Sequence, residues 1–203
     1  SRDGRGITST ETAISENNVA MIRTLADLGA DLNKPNNSGV SPVFVAAQNI
    51  HEASIRALAE LGANVNTPDN DGFTPVFIAA ENGHEASIRA LAELGANINT
   101  PANNGFTPVH VAAQEGHEVS IRALAELGAD LNTPANDGFT PVFVAAENGH
   151  EASIRALAEL GANINTPANN EFTPVHVAAQ EGREVSIRAL AELGADLNRP
   201  DNN

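Results

Sequence analysis

The sequence predicts an all-α solenoid, a helix–turn–helix unit copied along the chain with short hairpin-like turns between copies. The first observation is a 33-residue step that carries Ser41-Pro42, Thr74-Pro75, Thr107-Pro108, Thr140-Pro141 and Thr173-Pro174. The second is that Leu-Gly-Ala recurs at the same step from Leu28, Leu61, Leu94, Leu127, Leu160 and Leu193. The third is that each copy holds its own helix starts and stops. A self-similar period of this length marks an array in which each unit contacts only its neighbours, so function has to be read from a surface. Counted from the turn, the units run 3–35, 36–68, 69–101, 102–134, 135–167 and 168–200, one domain over 3–200, and 201–203 begins a truncated seventh.

The third unit shows the logic of each element in order. Asp69-Asn70-Asp71-Gly72 is a turn, its glycine suited to a positive φ. Thr74 followed by Pro75 supplies a hydroxyl N-cap and a proline in the first helical turn, which predicts a short helix over Val76 to Asn82. Gly83 stops it. Glu85 opens a second helix, with Glu85, Arg89 and Glu93 at i,i+4 spacing on one face and Ile88, Ala90, Leu91 and Leu94 among its apolar positions. Gly95 ends that helix, and Ala96 to Pro101 is an extended arm into the next turn.

Gly72-Phe73-Thr74-Pro75-Val76-Phe77-Ile78-Ala79-Ala80, Gly83-His84 and Leu94-Gly95-Ala96-Asn97-Ile98-Asn99 resemble the G-x-T-P-L-H-x-A-A, G-H and G-A-D-V-N motifs of the ankyrin repeat family, over essentially the whole chain. The resemblance implies an ankyrin-type stack with partner contacts on its concave face. Departures are local. Ala90, Ala92 and Ser87 thin the second helix, Ile50 replaces the glycine between helices, and Glu171 replaces a turn glycine. The first unit has Thr8-Ser9-Thr10-Glu11-Thr12 where later units have an apolar helix, so it reads as a polar N-terminal cap. The last unit has no such cap: Val185, Ile187, Leu190 and Leu193 match interior units, which points to further repeats or a packed end.

Composition narrows the function. The formal net charge is -15, from 11 basic and 26 acidic residues, which repels phosphate backbones and anionic bilayers. Nucleic acid and membrane are therefore not the expected partners. With no cysteine there is no disulfide framework and no thiolate chemistry. No targeting signal is visible, and the cytoplasm is the default compartment.

The resemblance assigns partner contacts to the turn tip, the residue after the turn glycine and the end of the first helix. Those residues are Asn70, Asp71, Phe73, Glu81 and Asn82, then Asn103, Asn104, Phe106, Gln114 and Glu115. The fifth unit supplies Asn136, Asp137, Phe139, Glu147 and Asn148, and the sixth Asn169, Asn170, Phe172, Gln180 and Glu181. Rings about 10 Å apart lie beyond mutual stacking range, so each packs locally or waits for a partner. An apolar stripe among carboxylates favours a protein or peptide with basic and apolar character. The expected function is a non-catalytic binding scaffold, a monomer with end-to-end contact open to it. The alternative is a structural spacer or spring. Residues 71–136 and 137–202 differ only at Ile78/Val144, Gly105/Glu171, His117/Arg183, Thr133/Arg199 and Ala135/Asp201, and such uniformity favours the spacer.

Other chemistries are weak. His110 and His176 lie two units apart, about 20 Å, too far to share one metal, and His51, His84, His117 and His150 read as backbone-bonding residues. The Asp69 turn lacks the closing glutamate of a calcium loop, Ala80 standing there. Ser54, Ser87, Ser120, Ser153 and Ser186 recur as scaffold residues do, and translation copies like groups instead of gathering unlike ones, so no catalytic residue and no cofactor is expected. By resemblance, Asn66, Asn99, Asn132 or Asn165 could serve as a substrate for hydroxylation.

Overall fold

The computed structural model describes residues 8–200, so residues 3–7 of the first unit and 201–203 of the expected seventh lie outside the described residues. Among the described residues twelve helices alternate short and long: α1 Ser9–Ser15, α2 Val19–Asp27, α3 Pro42–Gln48, α4 Glu52–Glu60, α5 Pro75–Glu81, α6 Glu85–Glu93, α7 Pro108–Gln114, α8 Glu118–Glu126, α9 Pro141–Asn148, α10 Glu151–Glu159, α11 Pro174–Gln180 and α12 Glu184–Glu192. Among the described residues there is no strand. The short helices form where a hydroxyl precedes proline: Thr74 Oγ1 accepts the Phe77 N–H at 3.2 Å, and Thr140 does the same for Phe143. The helix therefore starts at Pro75, one residue before the expected Val76, because proline is already inside the first turn. In the first unit Thr8 and Glu11 cap each other reciprocally.

Each pair packs on the next through an unbroken apolar layer. Ile55, Leu58, Ile88, Leu91, Ile121, Leu124, Ile154 and Leu157 are fully buried along the long helices, and Val76, Val109 and Val142 along the short ones. First helices pack against one another more closely than second helices do, so the stack curves toward the side bearing turns and first helices. At the last unit this layer opens only in part: Leu190 stays fully buried, Val175 and Ile187 are partly exposed, and Leu197 is 53% exposed where its counterpart Leu131 is 7%. Val185, half exposed, is not part of that change, since Val119 is equally exposed in the interior.

Polar side chains join the units at fixed offsets. On one edge Asn33, Asn66, Asn99, Asn132 and Asn165 each accept, through Oδ1, a backbone N–H of the following unit at 2.7–3.0 Å. On the other, Asn103, Asn136 and Asn169 donate Nδ2 to the carbonyls of Asn70, Asn103 and Asn136. Along the back, Arg56, Arg89, Arg122 and Arg155 each bridge a glutamate one turn earlier on their own helix and another on the next long helix, as in Glu118–Arg122–Glu159 at 2.9 and 2.8 Å. These pairs are substantially exposed, and their stabilisation is correspondingly small.

The histidines between helices bond the preceding unit's backbone, as expected, and the bond depends on the residue each ring meets. His117 and His150 lie over Gly83 and Gly116 and donate Nε2–H to the carbonyls of Glu81 and Gln114. His51 and His84 face Asn17 and Ile50, which carry a Cβ, and there the ring uses Nδ1 on the carbonyl one position earlier, Ile14 or Ala47. Ile50 holds φ 61° and Glu171 φ 66°, the left-handed region their glycine counterparts occupy freely.

A second local misfit lies at the unit interface. The buried hydroxyls of Ser87, Ser120, Ser153 and Ser186 have no hydrogen-bond partner, whereas Ser54 donates to Asn17 Oδ1 at 2.7 Å.

Ile50→Gly is expected to raise unfolding free energy by about 1 kcal/mol net of the added chain entropy. It is also expected to move His84 from Nδ1 to Nε2 donation; urea titration and imidazole nitrogen shifts check the two parts separately. Ser120→Ala, which removes an unpaired buried hydroxyl, is expected to stabilise by about 1 kcal/mol, and Ser54→Ala to destabilise. Equal signs in the two denaturation curves would contradict this account.

Candidate interaction surface

The turn tips, turn aromatics and first-helix ends lie on the inner side of the stack, but they are not equally available. The hairpin closes by Asp69 N–H to Phe73 O, with equivalents at Ala102, Ala135 and Ala168. Asp69 Oδ1 also accepts the N–H groups of Asp71 and Phe73, so the calcium-like turn uses its first carboxylate on its own backbone. Later units have alanine at that position, and Asn104, Asp137 and Asn170 take over by accepting the N–H of Phe106, Phe139 and Phe172. The amides of Asn103, Asn136 and Asn169 are held by the preceding turn, and those of Asn82 and Asn148 by the carbonyls of Ile78 and Val144. Asn70 gives its carbonyl to Asn103.

The rings pack locally. Phe73 stacks on Phe77 with centroids 4.5 Å apart, and Phe139 on Phe143 at 4.3 Å. Phe106 stacks on His110 at 5.1 Å, and Phe172 meets His176 at 5.6 Å. Each turn ring is half-buried: one face covers the start of its own helix, the rest is open. The row alternates Phe–Phe with Phe–His, so the sequence's two-unit duplication becomes a two-unit alternation of surface.

His110 is fully buried. Its Nδ1 accepts from the N–H and hydroxyl of Thr107 at 3.1 and 2.8 Å, and Nε2–H donates to Phe139 O at 3.0 Å. Burial lowers its pKa from the usual 6.5 to about 4, only partly offset by the Phe139 carbonyl and Asp137. The ring is a neutral link between units, not a free base. His176 shares the threonine contacts but is only half-buried.

Carboxylates at the first-helix ends remain. Glu81, Glu115, Glu147 and Glu181 form no ion pair among the described residues, although Gln114 and Gln180 each donate to the adjacent glutamate. Partial burial, then Glu115 and Asp69, push the Glu81 pKa up. Burial, Glu181 and Asp137 do the same for Glu147, against an opposing effect of Arg183. Arg183 stands where His117 does and reaches the Glu147 carbonyl through Nε at 2.9 Å. Asp69 and Arg183 thus belong to the surface although the motif positions did not include them, and His110 lies beneath it as a buried support for Phe106. Asp69 could have been found from its replacement by alanine in later units, and Arg183 from the duplication.

What fold and surface define is a stacked helical repeat scaffold. Sequence profiles described as "Ankyrin repeats (3 copies)" match residues 67–135 and 130–201, and one described as "Ankyrin repeats (many copies)" matches 43–88. The chain belongs to the ankyrin repeat family. It superimposes on the crystal structure of the human ASB11 ankyrin repeat domain with TM-score 0.86 at 27% identity, covering 97% of this chain and 88% of that one. The ankyrin repeat domain of Bcl-3, described as a unique member of the IkappaB protein family, gives TM-score 0.87 at 26% identity, over 97% and 90% of the two chains. No curated protein matches the chain in sequence. Among the described residues no helix is long and apolar enough to cross a membrane. Ankyrin repeats generally mediate protein–protein interaction and are typically non-catalytic.

Because His110 is held neutral when folded, the unfolded chain binds a proton that the native state does not between pH 6.5 and about 4. The stability this contributes is complete above pH 6.5 and is lost as pH falls toward 4, on the order of 3 kcal/mol in all. His110→Phe, the residue found at the matching positions 77 and 143, is expected to flatten that limb of the stability–pH curve measured by urea unfolding.

Proposed function

We propose that this chain is a binding scaffold whose inner face holds a protein segment of basic and apolar character, with residues 3–200 acting as one domain. The observation that carries this reading is the segregation of charge. Arg23, Arg56, Arg89, Arg122, Arg155 and Arg188 are all engaged with glutamates along the second helices. The inner face keeps Glu81, Glu115, Glu147 and Glu181 beside four half-open rings. A cation from a partner offsets the burial and like-charge repulsion that raise the pKa of Glu81 and Glu147, and an aliphatic or aromatic side chain covers the open ring surface. A rigid stack loses little conformational entropy on binding.

Affinity is expected to fall with salt, and to fall as pH drops through the carboxylate range, because binding favours the ionised form of Glu81 and Glu147. The spacer reading is favoured by the near-identity of residues 71–136 and 137–202, since selection for recognition usually diversifies surface positions.

Replacing Phe106 and Phe139 together by alanine is expected to weaken the captured partner at least about tenfold, the loss of roughly one apolar contact's free energy. Helical content is expected to remain. Affinity capture from the native source followed by titration, with circular dichroism as the fold control, checks both. Unchanged affinity, or capture of no protein by the intact chain, favours the spacer.

A further inference from the structure

The inner face is not one uniform strip. We infer that it presents two docking sites of the same plan, one two-unit step apart, for a single partner chain that carries two basic, apolar-anchored segments. The first is built on Phe73, Phe106, Glu81 and Glu115, the second on Phe139, Phe172, Glu147 and Glu181. This rests on the binding-scaffold reading and specifies its partner.

Geometry supports the division into pairs. A Phe–Phe stack of 4.5 Å followed by a Phe–His stack of 5.1 Å recurs as 4.3 Å followed by 5.6 Å. At the first-helix ends of each pair, a half-buried carboxylate, Glu81 or Glu147, lies near enough to the next unit's exposed one, Glu115 or Glu181, to feel its charge. A lysine or arginine seated there meets two carboxylates, and the flanking rings offer apolar cover on either side. The surface period is therefore two units, about 20 Å, whereas the scaffold period is one. A partner matching only one unit would find alternating neighbours. A partner with two segments about 20 Å apart finds the same neighbours twice, and its second contact forms at the high effective concentration that a linker supplies.

The two sites are distinguishable. Arg183 lies beside Glu147 where the first site has His117, and Glu171 replaces Gly105 at the second site's turn. The arginine competes with an incoming cation for Glu147, so the second site is the weaker one. His117 already makes the corresponding carbonyl contact, to Glu81, so Arg183→His keeps the bond between units while removing the fixed charge.

The test uses the whole chain, an end-capped Arg-Leu-Arg-Leu-Arg peptide, and the same peptide in tandem across a Gly/Ser linker of about 13 residues, whose mean reach is about 20 Å. Isothermal titration and native mass spectrometry are expected to show two single peptides bound per chain with unequal affinities. The tandem is expected to bind one per chain at least about tenfold tighter. Glu115→Gln, a surface change, removes the tighter event and leaves the weaker, while Arg183→His brings the weaker up to the tighter. Saturation at one single peptide per chain, a tandem no tighter than the single, or loss of both events in Glu115→Gln overturns the two-site inference while leaving the scaffold reading in place. Binding of neither peptide, or binding indifferent to Glu81→Gln and Glu115→Gln alike, overturns both.

Discussion

In a translational array a polar group at a unit boundary finds its partner chiefly on the neighbouring copy, and this constraint governs most of the side chains that looked available in sequence. A buried donor or acceptor left unpaired costs about 1–3 kcal/mol, a large share of a domain's net stability. The asparagines along both edges meet the constraint by reaching forward or backward one unit. The interhelical histidines meet it by bonding the preceding carbonyl. Asn66, Asn99, Asn132 and Asn165, considered as substrates for hydroxylation, are among these links, each holding a backbone N–H of the following unit through Oδ1.

Where the sequence departs from its own repeat, the bonding pattern is rerouted. Alanine at 102, 135 and 168 removes the turn acceptor that Asp69 provides, and the residue two positions later supplies it. Ile50 puts a Cβ where Gly83 and Gly116 have none, and His84 turns to the other ring nitrogen and the other carbonyl. Histidine in place of phenylalanine at 110 reverses the direction of the cap: the ring accepts from Thr107, where Thr74 and Thr140 accept from the chain. Among the described residues, the recurring serines at 87, 120, 153 and 186 are left without a partner.

The fold was legible in sequence because helix signals act locally: Thr74-Pro75 and Gly83 mark their helix to within a residue. The stack was legible because the period is exact. The availability of surface residues was not, since it depends on partners 31 to 37 residues away, as Asn97 on Asn66 and His150 on Gln114 show. Motif position places Asn103, Asn136 and Asn169 with Phe106 as one kind of contact residue, whereas the structure holds the asparagine amides between turns and leaves ring surface open. Rings about 10 Å apart do not stack on one another. The groups that cover them, Phe77, His110, Phe143 and His176, lie four residues on within the same unit.

Charge placement separates structural cost from recognition. Exposed ion pairs contribute little stability, so the arginine–glutamate ladder on the second helices is a poor explanation of why the stack holds together. Its larger effect is on the field. By holding its arginines against back-face glutamates, the ladder leaves much of a net charge of -15 to be expressed elsewhere, including the inner face. There, partial burial and then like-charge neighbours raise the pKa of Glu81 and Glu147, an unfavourable arrangement for the isolated chain. A fold that needed only length could have alternated lysine with glutamate on that face as it alternates arginine with glutamate on the other. Keeping the carboxylates together on a face with open rings gives up some stability in the free protein, a cost that the proposed cationic partner would offset.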